Sequence, residues 1–315
     1  MSRSAAEIAF RIRQEWANVR LWLAPPDWPS HWSFGGSLPL PPVDEVRSIV
    51  AGTAYEQELH ATARRCAKRQ IPAFSQWIGP EQEIEWRKDY QHGQTTPPDY
   101  FRRVPYLDFA RAGDHKWIWE INRHQHLVLM AQAWALDPQA SYLEEIGFQL
   151  ESWLQANPPQ RGINWASALE VAIRALSWIW ILHLVGHALP GGLRVRLLAS
   201  LRAHARHLAA NLSVYFSPNT HLLGEALALD ALGRFLEAAP ESANWRQLGS
   251  YWLDTCLARQ VTDDGSYFEQ SSFYHIYALD MFLLAAIWRR EGQRQDSLDR
   301  MAIFAQSMLG ADGRL

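Results

Sequence analysis

The chain has 315 residues, 48% of them apolar and 20% charged, with a net charge of −3. That balance excludes global disorder, and without a basic run there is no electrostatic case for a nucleic-acid partner. Trp is over-represented at 16 residues; flat apolar rings fill cores but also stack on sugar rings, which favours a carbohydrate ligand.

Met1 to Leu23 mixes Arg3, Glu7, Arg11, Arg13, Glu15 and Arg20 among apolar residues. It predicts an amphipathic helix and lacks the continuous apolar centre of a signal peptide. The chain as written reads as cytoplasmic, with export left open. A Pro/Gly/Trp-rich connector follows, Pro25-Pro-Asp-Trp-Pro29 and then Gly35-Gly-Ser-Leu-Pro-Leu-Pro-Pro42, expected to be an irregular surface strap. From Val43 to Asp99 helical periodicity is broken at Ile71-Pro72, Gly79-Pro80 and Pro97-Pro98.

Beyond Pro105 the pattern is regular. Helices are expected near 115–136, 140–156, 165–188, 192–213, 219–238, 245–260, 267–290 and 296–309, separated by Pro and Gly breaks, with no useful period-two strand run. The stretch from Ala166 to Leu189 is interrupted by Glu170, Arg174, His183 and His187, so no membrane span is expected. Taken in pairs, the helices form αα-hairpins at a period of roughly 50 residues. Such an array stacks into a solenoid or curls into a toroid. The fold class expected is therefore all-α, with residues 1–104 as N-terminal helices and strap packed on an array of αα-hairpins over 105–315. Cys66 and Cys256 have neither metal-ligand spacing nor a disulfide framework.

The unusual residues sit near the start of the first helix of each pair. These are Trp117-Ile-Trp-Glu-Ile-Asn-Arg-His124, Gly162-Ile-Asn-Trp165 with Glu170, Ser217-Pro-Asn-Thr-His221, and Gly265-Ser-Tyr-Phe-Glu-Gln270. In an αα-array all first helices run the same way, so these signatures gather at one end and predict a ligand site there.

Ser217 suits an N-cap and Pro218 the first helical position. Asn219 and His221 would then lie near a helix N-terminus, where free N–H groups and the dipole suit a carboxylate. The same field would keep His221 neutral. The plainer reading is that both are capping and surface residues. Ser266-Tyr-Phe-Glu269 matches a capping box, placing Gln270, Tyr274 and Tyr277 on one stripe of the following helix. An aromatic core stripe is the alternative. Glu170 and Arg174 have the i, i+4 spacing of an intrahelical salt bridge, or Glu170 orients Arg174 towards an acidic sugar. Of Asn122, Arg123 and His124, at most two can reach one cleft.

Together these motifs resemble the heparinase II/III-like polysaccharide lyases. The resemblance is carried by Trp119-Glu-Ile-Asn-Arg-His124, Gly162-Ile-Asn-Trp165 with Glu170 and Arg174, Ser217-Pro-Asn-Thr-His-Leu-Leu-Gly-Glu225, and Asp264-Gly-Ser-Tyr-Phe-Glu-Gln-Ser through Tyr274 and Tyr277. It covers most of the chain from Trp117 onward. It implies an incomplete (α/α) toroid normally followed by a C-terminal β-sandwich. At Ala311-Asp-Gly-Arg-Leu315 no strand-rich region has begun, so that sandwich is expected to be absent from this chain and present in a full-length protein. In the family it closes the cleft and in some members supplies a catalytic His.

The implied chemistry is β-elimination at a uronic acid in a glycosaminoglycan- or alginate-like substrate, with no cofactor; several members of the family bind a structural metal, but nothing in this sequence has ligand spacing for one. Asn219 would neutralise the substrate carboxylate, Tyr274 would act as acid/base and His221 as second base, with Tyr277 as the fallback tyrosine. A cation from Arg174 or His275 would assist the phenol. Asn122, Arg123, Asn164, Trp165, Glu170, Arg174, Gln270 and Tyr277 would bind an acidic poly- or oligosaccharide. Two competing readings are a toroidal glycoside hydrolase, using Glu170 or Glu269 with Asp263 or Asp264, and a non-catalytic glycan-binding toroid.

Overall fold

The computed structural model describes residues 4–79, 83–290, 295–310 and 313. Pro80, Met1–Arg3 and most of the 311–315 end, on which expectations were placed above, lie outside the described residues.

Helix α1 (Ala5–Leu23) is capped by Ser4, whose hydroxyl accepts from Glu7 N. It packs on a later helix, α9 (Gly191–Asn211), and Asn18 pairs with Asn211 through reciprocal amide bonds of 2.9 and 2.7 Å. The strap is more deeply seated than its composition implies. Trp28 and Leu38 are buried in the main core, and Gly35 N and Ser37 N donate to Phe235 O and Arg234 O. Helices α2 (Val43–Val50) and α3 (Ala54–Cys66) follow, and both pack on α6 (Gln125–Leu136). A hairpin of two three-residue strands, β1 (Ile71–Ala73) and β2 (Gln76–Ile78), pairs antiparallel with Ile71 opposite Ile78.

After the short α4 (Phe109–Ala112), the hairpin array begins. It contains α5 (His115–Asn122), α6, α7 (Ala140–Ala156), α8 (Ala168–Val185), α9, α10 (Thr220–Phe235), α11 (Ser242–Gln260), α12 (Ser272–Arg289) and α13 (Gln295–Ser307). The hairpins are α6/α7, α8/α9, α10/α11 and α12/α13. The first helices α6, α8, α10 and α12 touch one another in that order, while α7, α9 and α11 pack behind them. The chain is thus an all-α, toroid-like array of two layers, with the N-terminal ends of α6, α8, α10 and α12 at one end.

Burial explains the layering. α8 and α10 are apolar on nearly every side and are buried along most of their length, as a helix enclosed by neighbours requires. By length and composition α8 could cross a membrane, contrary to the expectation from its charged residues, but here it is the buried centre of the stack. Helices α10 and α11 approach backbone to backbone. A Cβ on Gly249 would lie 2.4 Å from Asp230 N, and one on Gly233 would lie 2.5 Å from Arg246 N.

The helix expected over 115–136 is broken. His124 adopts a left-handed conformation (φ 59°) between α5 and α6. Its ring is wholly buried, accepting from Trp178 Nε1 at 2.8 Å and lying against Trp86 and Trp153. Tertiary packing of one imidazole fixes this backbone. Arg123 therefore turns outward from the helix junction while His124 turns in.

Candidate active site

Asn219, not Ser217, caps α10. Its Oδ1 accepts from His221 N at 3.1 Å, so the helix starts at Thr220. The segment leading into it is held from behind. Gln260 Nε2 donates to Pro218 O at 2.9 Å, and Tyr267 OH donates to Gln260 Oε1 at 2.9 Å.

The expected capping box at Ser266–Glu269 does not form. Residues 261–270 make a turn closed by a bridge between Val261 and Tyr267, with Gly265 at φ +87°. α12 begins five residues later than that box predicts, capped by Ser271, whose hydroxyl accepts from Tyr274 N. Gln270 stays outside the helix with φ 53° and is exposed, so the stripe of Gln270, Tyr274 and Tyr277 is reduced to its two tyrosines. Tyr274 lies in the first turn, 48% exposed; Tyr277 lies one turn on and is partly buried.

Glu269 is freed for another task. Its Oε1 accepts from Asn219 Nδ2 at 3.1 Å, and its Oε2 accepts from Thr220 N at 3.0 Å and from Thr220 Oγ1. The anion at the start of α10 is thus the protein's own carboxylate. The favourable dipole end expected to await a substrate carboxylate is already answered.

Glu170 is buried at the start of α8. It accepts a two-pronged contact from Arg123, Nε to Oε2 at 2.8 Å and Nη2 to Oε1 at 2.9 Å, and Arg123 Nη1 donates to Glu120 Oε2 at 2.8 Å. Such forked pairs are the strong, oriented kind. The Glu170–Arg174 pairing expected from spacing is absent. Arg174 is wholly buried, donating to His204 Nε2 at 3.0 Å and to Asn164 O at 2.9 Å, with its guanidinium 4.5 Å from the Trp153 ring. Burial lowers its pKa to about 9. Arg174 packs against Trp153 of α7 and Trp165 ahead of α8 and does not face a ligand.

Three other expected ligand residues share that interior. Asn122 donates to Trp86 O and Ile118 O and accepts from Trp153 Nε1. Asn164 donates to Trp86 O and Asn157 Oδ1, and Trp165 Nε1 donates to Asn157 O. All three are buried, so they bind the scaffold and not a sugar. A buried amide must find partners, and here Asn122 and Asn164 share one carbonyl of the N-terminal region, Trp86 O, and otherwise bond within the helical array. His275 is likewise buried, with Nε2 2.9 Å from Met301 O, and is committed away from Tyr274.

What remains at the shared end is Arg123, Glu170, Asn219, His221 and Tyr277, with Glu120 and Glu269 added by the structure: the charges of Glu170 and Glu269 reach His221, and those of Arg123, Glu170 and Glu120 reach Tyr277, while Tyr274 stands exposed in the first turn of α12. The His221 pKa is lowered by burial, while the charges of Glu170 and Glu269 pull the other way. The direction matches the expectation from the helix dipole, but desolvation is the cause. At neutral pH the imidazole is therefore an unprotonated acceptor. Burial pushes the Tyr277 phenol up to about 12; Arg123 opposes this, and Glu170, Glu120 and Asp280 add to it. The cation beside a site tyrosine is thus Arg123, in place of Arg174 or His275.

Sequence reasoning missed Glu120 and misassigned Glu269. The signal for Glu269 was present, an acidic residue beside Gln270 in the segment already singled out, but a local capping motif accounted for it. Three of the four carboxylates invoked for a hydrolase are engaged, Glu170 with Arg123, Glu269 with Asn219 and Thr220, and Asp264 with Ser266 N inside its turn, while Asp263 is exposed on that turn.

The family described as "Heparinase II/III N-terminus" matches residues 53–303. The chain belongs to this family. It is 23% identical over 221 residues to a heparin-sulfate lyase of Bacteroides stercoris, covering 61% of this chain and 33% of that protein. It is 28% identical over 181 residues to a heparin-sulfate lyase of Pedobacter heparinus, covering 55% and 27% respectively. The fold is similar to a crystal structure of heparinase III (TM-score 0.66, 16% identity, 93% of this chain and 43% of that one). It is also similar to heparan sulfate lyase HepC from Pedobacter heparinus (TM-score 0.59, 20% identity, 98% and 44%). The chain spans less than half the length of these structures and about a third or less of the two curated relatives.

Proposed function

We propose that this chain carries the helical half of a polysaccharide lyase site that cleaves a uronate-containing glycosaminoglycan, of the heparan sulfate kind, by β-elimination. The observation that supports this reading is the Glu269 bridge to Asn219 and Thr220, which ties the start of α10, with its neutral His221, to the turn ahead of α12, whose first turn carries Tyr274.

The uronate C5 proton is weakly acidic while the adjacent carboxylate is ionised. A neutral donor on that carboxylate stabilises the charge that develops on it, and Asn219 Nδ2 supplies such a donor. His221 accepts the C5 proton. The C5–H electron pair becomes the C4–C5 double bond, the C4–O bond breaks, and the leaving oxygen takes a proton from Tyr274. In a substrate of opposite C5 configuration Tyr274 serves as base as well as acid. Phe216 and Phe273, 82% and 76% exposed beside Asn219 and Tyr274 in the chain, offer apolar faces on which sugar rings stack. No step requires added water, whereas hydrolysis needs two uncommitted carboxylates.

The test is product analysis with heparan sulfate and with a uronate polymer of the alginate type. The expected result is an unsaturated uronate terminus that absorbs in the ultraviolet, made from heparan sulfate and abolished by Asn219→Ala. Cleavage without that terminus would defeat the proposal.

A further inference from the structure

We propose that Glu269 is a positioning residue that sets which end of the Asn219 amide meets the substrate; this rests on the lyase reading above. Asn219 has two fixed neighbours of opposite demand. His221 N–H needs an acceptor and takes Oδ1 at 3.1 Å, while the Glu269 carboxylate needs a donor and takes Nδ2 at 3.1 Å. A flipped amide would place Oδ1 against the carboxylate and Nδ2 against an N–H, two like contacts, so only one orientation satisfies both. Nδ2 carries two hydrogens. One is held by Glu269, and the other is the donor offered to the substrate carboxylate.

The charge of Glu269 would by itself repel a uronate. It is absorbed by Thr220 N at 3.0 Å and Thr220 Oγ1, at the positive end of α10. The same carboxylate spans the two halves of the site, since it precedes α12 by three residues and binds the first residue of α10. It therefore orients a donor and fixes the separation of Asn219 from Tyr274 without touching the reacting atoms.

A glutamine at 269 is nearly isosteric but has one accepting oxygen for two obligatory N–H donors, Asn219 Nδ2 and Thr220 N, on opposite ends of the carboxylate, so one of them meets an NH2. Glu269→Gln in the full chain is expected to lower kcat on heparan sulfate oligosaccharides roughly 10- to 100-fold, with KM changed less than about threefold. Combined with Asn219→Ala, it should add almost nothing, because the two residues act as one unit. Glu269→Asp, which keeps the charge, should recover part of the rate if the shorter arm still reaches.

The amide pairing is also read without turnover. Side-chain amide signals of Asn219, identified by their loss in Asn219→Ala, should shift strongly in Glu269→Gln. An additive double mutant, or a kcat loss matched by Glu269→Gln and Glu269→Asp alike with a common loss of melting temperature, would overturn the proposal. Unmoved amide signals would overturn it too. If the unmutated chain makes no unsaturated product, the lyase reading falls, and the amide signals still decide the pairing.

Discussion

Glu269 Oε1 accepts a hydrogen bond from Asn219 Nδ2 at 3.1 Å, across fifty residues of chain. That contact joins the turn ahead of α12 to the first turn of α10, and it makes one site out of two sequence segments. The consequences can be measured at each of the groups it brings together.

Tyr274 and Tyr277 differ in their surroundings, so their removal should differ in effect. Tyr277 is held protonated by burial, with its pKa at about 12, which suits a hydrogen-bond donor and not a base. Tyr274→Phe is expected to reduce kcat by about 10²–10⁴, the usual contribution of a positioned acid or base, and Tyr277→Phe by less than about tenfold. Steady-state rates of ultraviolet product formation separate the two; a hydrolase would be spared by both.

The pH profile should report His221. Its pKa lies below the ordinary 6.5, so the neutral, proton-accepting form persists as pH falls through 6.5. The acid limb of kcat/KM is expected below that value. Glu269 raises this pKa by its charge, so Glu269→Gln should move the limb to still lower pH. A limb at or above 7 would contradict the assignment.

Arg123 anchors Glu170, whose side chain is only 6% exposed. Arg123→Ala leaves that carboxylate buried without its partner, beside Glu120. A loss of about 3 kcal/mol is expected, read from urea unfolding. Arg123→Lys should recover little, because one ammonium cannot reproduce the forked contact.

Glu225 is wholly buried and accepts from Ser213 N and Ser213 Oγ, each at 2.7 Å. Burial raises its pKa from 4.5 to about 8. The raised folded value means that its protonated form favours folding. That contribution is complete below about 4.5 and is lost as pH rises through about 8. Glu225→Gln mimics the protonated acid, so it should flatten the decline of melting temperature between about pH 4.5 and pH 8, the window between the two pKa values. A steeper decline in the variant would show that the carboxylate is charged in the fold.

At the α10–α11 contact, Gly249→Ala puts a methyl group against Asp230 N and Ala226 O. Overpacking of that kind costs about 1–3 kcal/mol, and denaturant midpoints should fall accordingly with the unfolding slope unchanged.

Much of the architecture was legible in the chain. Pro and Gly breaks set the helix limits, and α7 falls where 140–156 was expected. The two segments that carry Asn219, His221 and Tyr274 stood out because a helix needs no such polarity to fold. What could not be read was set by partners distant in sequence. Ser266 and Glu269 have capping-box spacing, yet Glu269 binds Thr220, 49 residues away, and Ser271 takes the cap. Arg174 has the spacing to pair with Glu170, yet the fork from Arg123, 47 residues distant, fills that carboxylate and Arg174 sinks among tryptophans. Asn122, Asn164 and Trp165 look like ligand residues because buried amides and indoles need hydrogen bonds, and Trp86 O, Trp153 and Asn157 supply them from elsewhere in the chain. Local spacing identifies the chemical group that needs a partner; only the tertiary fold decides which partner it finds.

The most direct test of the central claim is to digest heparan sulfate with the chain in water enriched in oxygen-18 and to weigh the products. β-Elimination predicts fragments with an unsaturated uronate terminus and no oxygen-18 introduced by bond cleavage, with their formation lost in Asn219→Ala and Tyr274→Phe. Saturated termini carrying one oxygen-18 per cleaved bond would contradict it.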